Sequence, residues 1–119
     1  MTTEQTLNEY FTALHGGDWQ KFIADDFIFV VNNSARILHG KESYFKGAGD
    51  FFRATTSVEI IQRILDGNRV ALIARYEVLS PKGTTGACDV AEFLTIDDGK
   101  LTTSSIFFDT KALAELMQS

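Results

Sequence analysis

The chain shows a helical hydrophobic period in its first helix and again over about 41–52, and a strand-like period of two after Ser57. Four apolar residues follow the i, i+3, i+4, i+7 spacing of one helical face: Leu7, Tyr10, Phe11 and Leu14. Thr2 and Gln5 have the spacing of a capping box, and Gly16 with Gly17 supplies a stop. The pattern therefore predicts an N-terminal helix with one buried face.

A short second helix, a pair of strands and a third helix are predicted next. Asp18 is suited to cap the short helix, whose inward side carries Trp19, Phe22 and Ile23. The apolar run from Phe27 to Asn32 has the length of a strand, and residues 36–39 form a candidate return strand. A third helix over about 41–52 is indicated by one broad apolar face: Tyr44, Phe45, Ala48, Phe51 and Phe52.

The second half predicts a meander of four strands near residues 57–65, 70–79, 87–96 and 101–109. The connections are turn sequences that are too short for parallel crossovers. Helices first and a meander last indicate an α+β fold. A length of 119 residues is that of one domain, so we expect residues 1–119 to form a single unit.

The last two strands meet at Asp97–Lys100 and carry an unusual charge. Asp-Gly between apolar runs is a strong hairpin signal, because the tight turn needs positive φ. Alternation places Glu92 on one face with Val90 and Leu94. A carboxyl among aliphatic neighbours is poorly hydrated, which raises its pKa and lets its neutral form donate a hydrogen bond. Glu92 is thus the best catalytic candidate; the alternative is a rim charge paired with Arg75.

Arg75 and Glu77 share one face of the strand 70–79 and lie ~7 Å apart along it. Arg75 can bridge Glu77 and Glu92 or hold an anionic ligand, and a purely structural ion pair is the alternative. Apolar residues on this strand also predict that both faces of the sheet are covered. Because helices can cover only one face, we expect a homodimer in which the partner subunit covers the other face.

Composition excludes several classes of function. A net charge of -5 argues against a nucleic-acid binder, which needs basic clusters. No apolar run approaches the ~20 residues of a membrane span, and the N-terminus lacks the pattern of a signal peptide. The single cysteine, Cys88, is predicted to be a small buried residue in a cytoplasmic protein. His15 and His39 have no ligand-spaced partners, so we predict no metal and no cofactor.

Five segments together resemble the nuclear transport factor 2-like superfamily, in its SnoaL-like and ketosteroid isomerase-like branch. They occur in the order and spacing of that family over nearly the full length: 10–18, 23–27, 38–40, 98–101 and 107–109. The resemblance implies a cone-shaped fold in which N-terminal helices pack in a curved antiparallel sheet that ends in the four-stranded meander. It also implies a pocket at one end of the cone and dimerisation through the convex face.

Two enzymes of the superfamily give residue-level expectations. Ketosteroid isomerases use a helical tyrosine and a protonated acid as an oxyanion hole, and a second carboxylate moves the proton. By the resemblance, the tyrosine corresponds to Tyr10 and the protonated acid to Glu92. The proton-moving carboxylate corresponds to Val31. Arg75 and Glu77 match an arginine–aspartate pair of limonene epoxide hydrolase. The second aspartate of that enzyme corresponds to Ile106 in this chain. By this resemblance the chain has an acid, Glu92, and a hydrogen-bond donor, Tyr10. It lacks the catalytic base of both enzymes. For Tyr10, a purely structural role in the core is the alternative.

We therefore predict a small dimer whose apolar pocket binds a small hydrophobic or aromatic molecule. The residues expected to act in catalysis are Glu92, Tyr10, Arg75 and Glu77. Those expected to line the pocket are Leu14, Trp19, Phe29, Val31, Phe51, Phe52, Leu94, Ile106 and Phe108. If the protein is an enzyme, we expect acid–base isomerisation, cyclisation, dehydration or hydrolysis. The alternatives are a non-catalytic binding or interaction module, and a cone filled completely by its ten phenylalanines.

Overall fold

Three α-helices and six β-strands make up the chain in the computed structural model, which describes residues 1–119 apart from the side chains of residues 15 and 16. The helices are α1 (Thr3–Gly16), α2 (Lys41–Ala54) and α3 (Thr110–Met117). The strands are β1 (Ile23–Val31), β2 (Arg36–His39), β3 (Thr55–Asp66), β4 (Arg69–Leu79), β5 (Thr85–Asp97) and β6 (Lys100–Phe108). The predicted α+β class is confirmed.

One six-stranded sheet has the order β2-β1-β6-β5-β4-β3. The last four strands form the predicted antiparallel meander, and β2 returns antiparallel to β1. The sheet is mixed rather than wholly antiparallel, because β1 lies parallel to β6. The β1–β2 hairpin occupies one edge of β1, so its other edge is free to pair with the end of the meander.

The ends of the N-terminal elements differ in detail from the prediction. The capping box at Thr2 and Gln5 is confirmed, since each side chain bonds the other's backbone N–H. The short second helix is a single 3-10 turn over Gln20–Phe22 without a side-chain cap. Asp18 instead forms an exposed ion pair with Lys21, at 2.9 Å. The first strand begins at Ile23 rather than Phe27, because the buried Ile23 already pairs with Leu101 of β6.

The core lies between the concave face of the sheet and the helices α1 and α2. Side chains of β4 and β5 alternate strictly between buried and more exposed positions, as the period of two predicts. The predicted face of α1 is buried in full: Leu7, Tyr10, Phe11 and Leu14. Bulges in β3 and β6 interrupt the ladders, and such bulges bend strands. The sheet thereby curves around the helices and leaves its convex face outward.

The β5–β6 hairpin closes through the predicted turn. Asp98 and Gly99 both have positive φ, at 50° and 75°. Two consecutive left-handed residues are the requirement of the tight turn that matches the twist of a hairpin. The turn therefore sets the pairing that places Ile106 of β6 beside Glu92 of β5.

Candidate functional site

Glu92 is a buried carboxyl in the middle of β5, with 6% of its surface exposed. The Tyr76 hydroxyl of β4 donates a hydrogen bond to Glu92 Oε2 at 2.5 Å. Burial raises the pKa of Glu92 to about 7, although the hydrogen bond from Tyr76 acts in the opposite direction. This carboxyl therefore titrates near neutral pH, well above the ordinary range of a glutamate.

The other two tyrosines of the chain form a pair near this acid. The hydroxyls of Tyr10 in α1 and Tyr44 in α2 are 3.4 Å apart, and both side chains are buried. Burial raises the pKa of Tyr10 and Tyr44, and the charge of Glu92 raises both further. Burial and then Glu92 likewise raise the pKa of Tyr76. All three phenols are thus held as neutral hydrogen-bond donors.

The concave side of the sheet encloses a cavity of about 190 Å³ that Glu92, Tyr44 and Tyr76 all line. Its volume is near the ~150 Å³ of an apolar cavity that holds benzene, and below the ~300 Å³ at which drug-sized pockets begin. Six of the nine residues expected to line a pocket lie on its wall: Phe29, Val31, Phe51, Phe52, Ile106 and Phe108. The phenylalanines therefore surround this space without filling it.

The other three expected lining residues belong to the packed core. Leu14, Trp19 and Leu94 are buried but do not reach the cavity. The Trp19 ring packs edge-on against Phe52 with the ring centres 4.8 Å apart. Trp19 thus supports the wall of the cavity from behind. The cavity wall therefore includes no described residue of α1.

Arg75 and Glu77 lie on the convex face, away from the cavity. Their strand alternates, and the inward positions are Ala74 and Tyr76. Arg75 forms a bidentate ion pair with Asp89 on the neighbouring strand, at 2.8 and 3.1 Å. The expected bridge from Arg75 to Glu92 is wrong, because the two side chains leave the sheet on opposite faces. Tyr10 hydrogen-bonds Tyr44 rather than Glu92 and does not lie on the cavity wall.

Four further polar or charged side chains on the cavity wall were not singled out from the sequence: Arg36, Tyr44, Tyr76 and Ser104. Alternation already places Tyr76 on the apolar face of β4, so pairing this face with that of Glu92 would have identified it. Cys88 also lines the cavity, where burial raises the pKa of its thiol to about 11. Such a thiol is protonated and a poor nucleophile.

The two positions that correspond to a second carboxylate in the related enzymes carry apolar side chains in this chain, Val31 and Ile106. Val31 and Ile106 pair in register and both line the cavity. Asn32, beside Val31, donates instead to Ser105 Oγ at 2.5 Å and to the Ile106 carbonyl oxygen at 3.2 Å. Its amide thus extends the β1–β6 ladder and is not directed at the cavity. Among the cavity-lining residues of the described chain, Glu92 is the one carboxylate.

Within residues 1–14 and 17–119, no three His, Cys, Asp or Glu side chains cluster as a metal site would require. The side chain of His15 lies outside the described residues. Across the described helices, none combines the length and the hydropathy of a membrane span.

Comparisons with known proteins agree with this architecture. The SnoaL-like domain family matches residues 7–104. No curated protein sequence matches the chain. Among solved structures, TerC co-crystallised with polyporic acid is 21% identical over 98% of both chains, with a TM-score of 0.80.

Two further solved structures have the same fold. A provisionally assigned SnoaL-like polyketide cyclase from Jannaschia is 16% identical over 98% of this chain and 92% of its own, with a TM-score of 0.79. A provisionally assigned ketosteroid isomerase from Kribbella flavida is 17% identical over 90% of this chain and 77% of its own, with a TM-score of 0.72.

Proposed function

Because the chain belongs to the SnoaL-like domain family, we propose that it is a cofactor-independent acid–base enzyme acting on a small hydrophobic or aromatic molecule in the cavity. The observation that carries the proposal is the buried Glu92 carboxyl, whose pKa of about 7 allows proton transfer in both directions at neutral pH. Its substrate is compact, since a cavity of about 190 Å³ accommodates one ring or a little more.

Tyr44 supports this chemistry as a neutral donor on the cavity wall, and Tyr76 holds the Glu92 carboxyl through its own hydrogen bond. An oxygen of the ligand that gains negative charge during the reaction would be stabilised by fixed donors in a site with little water. Protonated Glu92 would supply a proton to such an oxygen, and ionised Glu92 would take one back. Isomerisation, cyclisation, dehydration and hydrolysis all use these elementary steps.

The structural relatives support a cavity of this kind. TerC was crystallised with polyporic acid, and other proteins of the fold are provisionally assigned as a polyketide cyclase and a ketosteroid isomerase. Because these identities are 21% or lower, the likeness shows only the shared fold. The proposed ligand class rests on the cavity of this chain. The lone thiol of Cys88 is compatible with a reducing cytoplasm, where we propose that the protein acts.

A second function, non-catalytic binding of the same class of molecule, is favoured by one specific observation. Val31 and Ile106 stand where the two related enzymes keep a second carboxylate, and both are apolar cavity-lining residues. Glu92 would then serve as a hydrogen-bonding anchor whose strength depends on pH.

Screening small enolisable ketones, lactones and epoxides with the wild type and Glu92→Gln distinguishes the two functions. The amide keeps the size and the hydrogen bond to Tyr76 but cannot exchange a proton. For the enzyme, we expect turnover by the wild type and its loss, by at least about a hundredfold, in Glu92→Gln. Equal turnover by both proteins would remove Glu92 from the mechanism, and binding without turnover would favour the second function.

A further inference from the structure

A second charged side chain, that of Arg36, lies on the same row of the sheet as Glu92. The row runs from Glu92 on β5 to Ile106 on β6, to Val31 on β1 and to Arg36 on β2. The two charged residues are three strand spacings apart, or about 14 Å along the sheet. Both line the cavity, and the apolar side chains of Val31 and Ile106 form the floor between them.

Arg36 is held at the rim of the cavity by its contact with α2. A Cβ added at Gly47 would lie 3.0 Å from Arg36 Nη2 and 3.0 Å from Leu38 Cδ1. The guanidinium therefore lies close to the helix at Gly47, where no side chain blocks its approach. Glycine destabilises a helix interior relative to alanine, so Gly47 lowers the stability of α2 while it allows the guanidinium of Arg36 to come close.

The guanidinium at this rim is free to bind an anion. Arg53, Arg63 and Arg75 each pair with a carboxylate. Over the ranges 1–14 and 17–119, by contrast, no carboxylate lies within 4.0 Å of the guanidinium of Arg36. Its planar N–H groups match the two oxygens of a carboxylate, which gives bonds of well-defined direction as well as charge.

We propose that Arg36 binds an anionic group of the cavity's ligand, so that the ligand is a small aromatic or aliphatic acid. Its carboxylate would lie at Arg36, and its apolar body would extend over Val31 and Ile106 towards Glu92. A rim position lets the charged group keep part of its hydration while the ring is buried. The inference rests on the proposed function, because it assumes a ligand in this cavity.

Two pairs of probes test the charge separately from the cavity: cinnamate with cinnamamide, and benzoate with benzamide. Each pair shares its ring and differs in the anionic group. Titrations at pH 6 and low salt, followed by NMR of the methyl groups of Val31 and Ile106, report affinity and location together. We expect the acids to bind the wild type at least about tenfold more tightly than the amides.

Three variants link this preference to the guanidinium. Arg36→Gln should abolish it, and Arg36→Lys should keep part of it because the charge remains. Gly47→Ala should reduce it while preserving the helix, since the new methyl group displaces the guanidinium. The control is Arg69→Gln, which removes an exposed arginine from the β3–β4 hairpin and should leave the preference unchanged. Amide NMR spectra establish that each variant is folded.

The possible failures are distinct. If acids and amides bind the wild type equally and shift the cavity methyl groups, the role of Arg36 is wrong and the proposed ligand cavity stands. If the preference survives in Arg36→Gln, another cation is responsible and the inference is also wrong. If none of the four probes shifts the Val31 and Ile106 methyl groups, both the inference and the proposed function are overturned for ligands of this size.

Discussion

The Tyr76 hydroxyl and a Glu92 carboxyl oxygen lie 2.5 Å apart on adjacent strands, both inside the core. Tyr76 pairs in register with Cys88, four residues before Glu92, so its long side chain reaches diagonally along the sheet to the acid. An apolar site that held Glu92 without this donor would disfavour its ionised form even more. Tyr76 therefore keeps the Glu92 pKa in the range where the carboxyl exchanges protons at neutral pH.

The burial of Glu92 makes stability depend on pH. Its pKa is about 7 in the folded chain and 4.5 in an unfolded chain. Between these values the unfolded chain loses a proton that the folded chain keeps, so rising pH favours unfolding. The stabilisation that neutral Glu92 gives the folded chain is fully present below pH ~4.5 and is lost as the pH rises through about 7. This loss lowers the free energy of unfolding by on the order of 3 kcal/mol.

Glu92→Gln removes this titration, so its stability should fall less than that of the wild type between pH 5 and pH 8. Urea unfolding at both pH values measures the difference, and the shared ion pairs, such as Arg75 with Asp89, cancel in the comparison. An identical pH dependence in the two proteins would show that Glu92 does not titrate with a raised pKa.

Removing the Tyr76 hydroxyl should move the Glu92 pKa upward. Tyr76→Phe deletes the donor that stabilises the ionised carboxyl, so the titration midpoint should rise above about 7. Stability should also fall by ~1–3 kcal/mol at pH 8, because a buried acceptor loses its partner. NMR titration of the ¹³C-labelled Glu92 carboxyl measures the shift directly.

Tyr10→Phe is the matched control, since the Tyr10 hydroxyl bonds Tyr44 and not Glu92. It removes an equivalent phenol hydroxyl from the same core and should move the Glu92 midpoint less. An equal shift in both variants would assign the effect to general polarity of the core rather than to the hydrogen bond from Tyr76.

Much of the fold could be predicted because its signals are local. The period of two in β4 and β5, the Asp98–Gly99 turn and the Thr2–Gln5 capping box each depend on a few neighbouring residues. The parallel pairing of β1 with β6 could not be predicted in the same way. It joins Val31 to Ile106 across most of the chain, and no short pattern encodes it.

The site was predicted less completely than the fold, for a related reason. Alternation showed that Glu92 has aliphatic neighbours, and the structure places it on the cavity wall. The same alternation separated Arg75 from Tyr76, but only the pairing of strands shows which of these faces the acid. Arg36 was missed because it becomes part of the cavity through three consecutive strand pairings.

The hairpin turn should be sensitive to loss of its glycine. Gly99 has a φ of 75°, and a Cβ there would meet only Met1 Sδ at 3.8 Å and Thr6 Oγ1 at 4.0 Å. The cost of Gly99→Ala is therefore conformational, and we expect ~1–2 kcal/mol of destabilisation in urea unfolding. Asp98→Gly, the control, should be neutral or stabilising because it relieves a non-glycine residue with a φ of 50°. A neutral Gly99→Ala would contradict the turn geometry.

The convex face carries an apolar patch that we expect a second copy of the chain to cover. It is contiguous across three strand pairings and consists of Ile64, Ala71, Ile73, Ala91, Phe93 and Phe107. Phe93 and Phe107 are 49% and 48% exposed, although large side chains of this kind gain most from burial. Two-fold dimers are the commonest oligomers and bury identical patches against each other.

Sedimentation velocity at micromolar concentration should therefore show a dimer for the wild type. The double variant Phe93→Asp with Phe107→Asp should be a folded monomer, because each carboxylate would be buried unpaired in the interface. The control, Ile37→Asp, alters an equally exposed apolar residue on the edge strand β2, outside the patch, and should remain dimeric. A monomeric wild type would refute the dimer. If Ile37→Asp dissociated the dimer and the double variant did not, the interface would lie at the β2 end of the sheet instead.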